Sequence, residues 1–251
     1  MKKFLSLSLI VTAILYGSIC QAAVNPCDVN IGSHDAVTPV ARPDVDWWMP
    51  RHQAVVDRVK QGNVDLLMIG DSITHGWETS GKYVWDKYYA PRNAVNMGFS
   101  GDRTQHVLWR LQNGEIDGIK PKLAVIMIGT NNSNGDDNTA RQIADGIKAV
   151  VCQLRTKLPQ TKVLVLAIFP RGGIIPSPQV AKNNKASQRV LKIADNKMIF
   201  YLDINKKFLN KKRVLTREVM PDLLHPNENG YRIWAEAMEP TIVKLMGEEK
   251  K

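Results

Sequence analysis

The chain is poor in the residues from which metal centres and disulfide scaffolds are built. It carries three cysteines and five histidines in 251 residues. His34, His52, His75 and His106 are scattered without ligand spacing, which argues against a zinc module. Asp222 and His225 could act as ligands, but no third candidate accompanies them, so no metal site is expected. Apolar runs long enough to span a bilayer are also missing, which excludes a polytopic membrane protein. No internal repeat or low-complexity tract appears, so solenoids and flexible linkers drop out.

Acidic residues are the other shortage: 24 against 34 basic ones, a formal charge of +10. Two of the lysines, Lys2 and Lys3, precede an apolar run from Phe4 to Tyr16 and small residues up to Ala22. This is the pattern of a secretory signal peptide, with cleavage expected after Ala22. A lipoprotein reading on Cys20 is disfavoured by the bulky Ile19 before it. Processing would leave +8, concentrated in Lys206–Arg213, which reads as a solvated surface loop. An exported, secreted or periplasmic protein has little use for a nucleic-acid partner, and no stable membrane insertion is expected. An acidic glycan or anionic surface stays open.

What remains is ordinary for a globular protein, 44% apolar and 23% charged. Residues 23–45 read as an irregular arm, and 46–251 as one domain. Continuous apolar strands are expected at Asp65–Gly70, Ala94–Met97, Leu123–Ile128, Lys162–Phe169 and Met198–Ile204. Amphipathic helices are expected over Trp47–Gln61, Gln105–Gln112, Thr139–Leu158, Gln179–Asp195 and Glu228–Met246. Trp47 and Trp48 read as buried aromatics before they read as a sugar site. Strands that are apolar throughout, alternating with helices, imply a parallel sheet covered on both faces. The expected fold is therefore α/β, a flavodoxin-like doubly wound five-stranded parallel sheet.

In such folds chemistry gathers at the carboxyl ends of the strands. Here the first strand ends in Gly70-Asp71-Ser72, the second in Gly98-Phe99-Ser100-Gly101-Asp102, the third in Gly129-Thr130-Asn131. The fifth is followed by Asp222-Leu223-Leu224-His225. Each segment alone could be a turn or helix cap. Together they supply a hydroxyl nucleophile, two oxyanion donors and an Asp–His pair, the parts needed for acyl transfer. Ser72, Asp222 and His225 are the catalytic candidates. The backbone N–H groups of Ser72 and Gly101 and the side chain of Asn131 are the oxyanion-hole candidates. His75, in the turn after Ser72, is expected to pack or to support. Ser72 lacks the Gly-x-Ser-x-Gly elbow of the α/β-hydrolases, which excludes that fold.

These four segments, in this order, resemble the blocks of the GDSL/SGNH hydrolases. Gly101-Asp102-Arg103-Thr104, Val107-Leu108-Trp109-Arg110-Leu111, Asn113-Gly114-Glu115 and Pro170-Arg171-Gly172 resemble in particular the branch containing the catalytic subunits of platelet-activating-factor acetylhydrolase. The resemblance spans Asp65 to the last helix and implies a serine esterase that needs no cofactor. Those subunits are intracellular, whereas exported members of the branch are often carbohydrate O-acetylesterases. A small acyl ester, acetyl on a carbohydrate, is the substrate this implies. The alternatives are a lysophospholipase, thioesterase or broad short-chain esterase using the same parts, or a glycan-binding protein that no longer turns over. Oligomeric state is not legible. Cys27 and Cys152 can either form a bridge or stay as two thiols. A helix places Cys152 opposite the apolar stripe through Ile147 and Leu154, within reach of the arm.

Overall fold

The computed structural model describes Cys27, residues 31–172 and residues 177–249. The expected leader, its cleavage point and Cys20 lie outside the described residues.

Five strands form one parallel sheet: β1 (Leu66–Gly70), β2 (Ala94–Gly98), β3 (Leu123–Met127), β4 (Lys162–Leu166) and β5 (Ile199–Leu202). Their order is β2-β1-β3-β4-β5, the flavodoxin-like winding expected from the sequence. Alternation explains why the strands are apolar throughout. Leu67 and Ile69 of β1 join one core with Val95, Met97, Ala124, Ile126, Val163 and Val165. Leu66 and Met68 join another, with Leu123, Val125, Met127, Leu164 and Leu166. Helices cover both faces, so neither set of side chains can be polar.

The first core is closed by α1 (Trp48–Lys60), α4 (Thr104–Gln112), α5 (Ala140–Lys157) and α6 (Pro178–Val190). The second is closed by α3 (Lys82–Tyr88) and α7 (Glu228–Met246), with the single turn α2 (Ser72–His75) between β1 and α3. Helix ends follow local chemistry. Thr139 accepts from the Gln142 N–H while Gln142 accepts from the Thr139 N–H, a reciprocal cap that starts α5. Asn227 caps α7 through the Gly230 N–H.

Two expectations need correction. The helix expected to reach Asp195 ends at Val190 and continues only as a 3₁₀ turn, Leu191–Ile193. The strands expected at Lys162–Phe169 and Met198–Ile204 pair over shorter spans, because β4 and β5 share only four register positions. Ala167, Ile168 and Phe169 stay buried beyond β4, and the Ala167 N–H still donates to the Leu202 carbonyl at 3.0 Å. The helix α3 was not legible: its seven residues bury only Val84 and leave Tyr83 exposed.

The described part of the arm docks on α4 and α5. The Thr104 hydroxyl donates to the Ala36 carbonyl at 2.7 Å, and the Val40 N–H donates to the Gln105 carbonyl. Gly146 makes this possible: a Cβ there would stand 2.7 Å from the Ala36 oxygen and 2.4 Å from the Thr104 hydroxyl. The tether is covalent, since Cys27 is bridged to Cys152 of α5, with 5.4 Å between Cα atoms. The bridge closes a segment of 125 residues. Removing it with Cys27→Ser should lower unfolding free energy by about 3–5 kcal/mol, since a long closed loop restricts the unfolded chain. Urea denaturation with and without reductant checks this. Reductant should bring the parent protein to the variant's midpoint and leave the variant where it is.

Candidate active site

The nucleophile candidate sits where β1 gives way to α2. Asp71 is fully buried, and its Oδ1 accepts the Ile73 N–H at 3.0 Å, which caps the turn and places Ser72 first in it. Among the described residues the opposite Asp71 oxygen has no hydrogen-bond partner. Burial pushes this carboxyl up to about 7, with the Asp102 charge adding to the effect; the Ile73 hydrogen bond works against it.

Ser72 Oγ lies 2.8 Å from His225 Nε2. His225 Nδ1 lies 2.6 Å from Asp222 Oδ2. The other Asp222 oxygen accepts the backbone N–H groups of Leu224 and His225 at 3.0 and 2.7 Å. Asp222 thus grips its own loop and the imidazole at once, which forces a tight turn through Leu223 at φ 61°. Partial burial alone would raise the Asp222 carboxyl. The hydrogen bonds from His225 and Leu224 outweigh it and hold the group below the usual carboxylate range. An ionised Asp222 fixes the tautomer with the proton on Nδ1, leaving Nε2 to accept the serine proton.

Two further segments meet beside Ser72. The loop after β2 turns at Gly101, whose φ of 79° lies in the left-handed region. The Asp102 N–H closes this turn on the Phe99 carbonyl at 3.0 Å. Asn131, in a 3₁₀ turn after β3, donates one amide hydrogen to the Asp102 carbonyl at 2.9 Å, and among the described residues the other has no acceptor. Among the described residues no protein acceptor takes the Gly101 N–H. Ser72, His225, His75, Ser100 and Tyr231 line a cleft of about 270 Å³. His75 does support this wall, as its Nδ1 lies 3.0 Å from the Ser100 hydroxyl. A wider groove between α1, α3 and β2 holds none of the candidate residues.

Beneath the Gly101 turn lies a charge network that sequence reasoning missed. Asp102 accepts from Trp48 Nε1 at 2.8 Å and from Arg110 Nε at 2.9 Å, all three side chains fully buried. Arg110 also donates to Glu115, which meets His52 Nδ1 at 2.9 Å. The guanidinium of Arg110 rests 3.9 Å from the Phe99 ring centroid. Asp102 had been legible only as a motif residue or a helix cap, and Arg110 as part of a resemblance. Trp48 is buried as expected, but Trp47 is 39% exposed and stacks obliquely on His75. Among the described residues no group of three or more His, Cys, Asp or Glu is placed to hold a metal ion.

A hydroxyl aligned with an imidazole and a carboxylate, at the carboxyl edge of a five-stranded parallel sheet, defines a serine-type hydrolase site. The sequence relations agree. Residues 68–233 match the model of the GDSL-like Lipase/Acylhydrolase family. The chain is 37% identical over 222 residues to the platelet-activating factor acetylhydrolase IB subunit alpha2 of Rattus norvegicus, covering 86% of this chain and 93% of that one. It is 34% identical over 207 residues to the alpha1 subunit of Homo sapiens, covering 81% and 86%. Among solved structures, a GDSL-like lipase from Bacteroides thetaiotaomicron superposes with a TM-score of 0.62 at 19% identity, covering 79% and 96%. An acetylxylan esterase from Geobacillus stearothermophilus superposes with 0.58 at 21% identity, covering 74% and 94%. The chain belongs to the GDSL-like lipase/acylhydrolase family and is an ester-hydrolysing enzyme.

The environment of Asp71 generates a pH-dependent expectation. Its folded-state value of about 7 lies above the unfolded value of 3.8, so the folded protein holds the extra proton between them. Stability therefore falls as pH rises from about 4 to 7, by up to about 1.4 kcal/mol per unit, and levels off above. Asp71→Asn keeps an oxygen for the Ile73 N–H and removes the titration. Its stability relative to the parent should climb between pH 5 and 7.5 in guanidinium unfolding; parallel curves would show that Asp71 titrates normally.

Proposed function

We propose that the protein is an exported serine esterase that removes small acyl groups, acetyl foremost, from carbohydrates. The observation that carries the chemistry is the unbroken Ser72–His225–Asp222 chain of hydrogen bonds at 2.8 and 2.6 Å. His225 takes the Ser72 proton as Oγ attacks the ester carbonyl, and Asp222 stabilises the imidazolium that results. The tetrahedral oxyanion is held by the N–H groups of Ser72 and Gly101 and by the free amide hydrogen of Asn131. His225 then protonates the departing alcohol. In the second half it activates water, which releases the acyl group from Ser72.

Export is supported by the leader pattern of residues 1–22 and by the Cys27–Cys152 bridge, a bond that persists in oxidising compartments. Among the described residues no helix is long and apolar enough to cross a membrane. An exported enzyme meets acetylated glycans sooner than intracellular lipid mediators, and one fold neighbour is named as an acetylxylan esterase. The names of the relatives at 34–37% identity favour a second reading, acetyl hydrolysis on a phospholipid. Release of acetate from acetylated xylan, pectin and sialic acid, set beside a platelet-activating-factor-type lipid, separates the two. Turnover of the lipid alone would overturn the carbohydrate reading.

Two sets of variants test the machinery. Ser72→Ala and His225→Ala should each lower kcat on p-nitrophenyl acetate by about as much as the double variant, roughly 10⁶-fold where such triads have been dissected. Losses that multiply would show that the two do not act as a unit. Asn131→Ala should lower kcat about 10²–10³-fold with KM little changed. An unchanged kcat would reduce Asn131 to a brace for the Asp102 carbonyl.

A further inference from the structure

The Gly101 N–H presents a physical problem. Glycine adopts positive and negative φ with almost equal ease, so a peptide unit flanking it rotates cheaply. Among the described residues, nothing accepts this N–H and so nothing fixes it from the donor side. An oxyanion donor is effective only when it points at the developing charge before the charge develops. The peptide must therefore be held from its other end.

Its other end is the Ser100 carbonyl, which shares a plane with the Gly101 N–H and points the opposite way across the trans bond. Arg42 Nη1 donates to that carbonyl oxygen at 2.8 Å. The same nitrogen lies 3.3 Å from Asp102 Oδ1, so one cation spans both sides of the Gly101 turn. The guanidinium sits close against the glycine, 3.0 Å from where a Cβ would be. Arg42 is only one-fifth exposed, so solvent weakens these contacts little. A charged donor on the carbonyl also polarises the amide, which makes its N–H a stronger donor.

We propose that Arg42, on the N-terminal arm, is a positioning residue of the oxyanion hole, orienting and polarising the Ser100–Gly101 peptide. The arm is thereby part of the enzyme's working structure. Its docking through Ala36 and Val40 and its tether at Cys152 fix the place from which Arg42 reaches the turn. This inference rests on the serine-esterase reading above, and the control that keeps the two apart is Ser72→Ala. A chain that stays active without its Ser72 hydroxyl would refute that reading, whatever Arg42 does.

With Ser72→Ala inactive, Arg42→Ala is measured in the full chain on p-nitrophenyl acetate. Loss of one remote orienting contact should lower kcat by about 10–100-fold with KM within about twofold. Inhibition by phenylboronic acid, which forms a tetrahedral adduct on the serine, should weaken by the same factor as kcat/KM falls. Free guanidinium at non-denaturing concentration should restore part of the lost kcat. A residue that merely supports folding would not respond in this way. Arg42→Lys keeps the positive charge but not the planar fork, and should lie between the parent and Arg42→Ala; it reports in place of the alanine variant if that one does not fold. A kcat within twofold of the parent for Arg42→Ala overturns the proposal. So does a loss that neither guanidinium nor lysine recovers.

Discussion

Asp102 is the group on which the rest of the site depends. Its carboxylate is buried, so water cannot solvate it, and burial pushes its carboxyl up against the pull of Arg110, Trp48 and Arg42. It is tolerable because those donors come from three different places in the fold. Trp48 brings α1, Arg110 brings α4, and Arg42 brings the arm. The Asp102 carbonyl meanwhile receives Asn131 from the end of β3. A buried ion network is seldom more stabilising than an apolar filling of equal volume, while removing one partner costs about 3–5 kcal/mol. Stability alone is therefore a poor reason for it. Apolar side chains would tolerate many arrangements of α1, α4 and the Gly101 turn, whereas the bidentate reach of Arg110 between Asp102 and Glu115 allows one.

This explains which parts of the molecule were legible in the sequence. The sheet was, because each strand is a local apolar run and covered sheets require such runs. Most helices were, because periodicity and caps such as Thr139 and Asn227 are local signals. The Asp222–His225 pair was legible because its partners are three residues apart, inside one turn. The network around Asp102 was not. Trp48 and Arg42 meet it or its neighbour from 54 and 58 positions away, and no spacing rule encodes such a meeting. The docking of the arm was not legible for the same reason, since its composition is irregular and Arg42 reaches Ser100 from far along the chain. The helix α3 escaped because it buries one residue well and has no stripe to show. The basic segment Lys206–Arg213 is as exposed as expected, apart from the buried Phe208 and the half-buried Leu209.

The site rests on buried groups and opens to solvent at its reacting groups, and the chemistry gives the reason. The groups beneath the proposed oxyanion donors are dry, while Ser72 and Asn131 are half-buried and Gly101 is exposed. Asp71, Asp102, Phe99 and Arg110 are all fully buried, and the turn at Gly101 is pinned from several directions. Donors of this kind work by not having to reorganise when charge appears, so rigidity is their function. On the imidazole side, the exposed Asp222 and the half-buried His225 lie on a loop held by short-range hydrogen bonds and a residue at positive φ. In the proposed mechanism His225 hands a proton first to a departing alcohol and then takes one from an arriving water, which requires an approach from solvent. Burying it as deeply as Asp102 would raise the cost of the imidazolium that Asp222 is there to stabilise. Reacting groups open to solvent above a buried charge network are thus what a two-step acyl transfer asks of one sheet edge. The left-handed turn at Leu223 is tolerable because the Asp222 carboxylate gains two backbone donors and a ring donor from it.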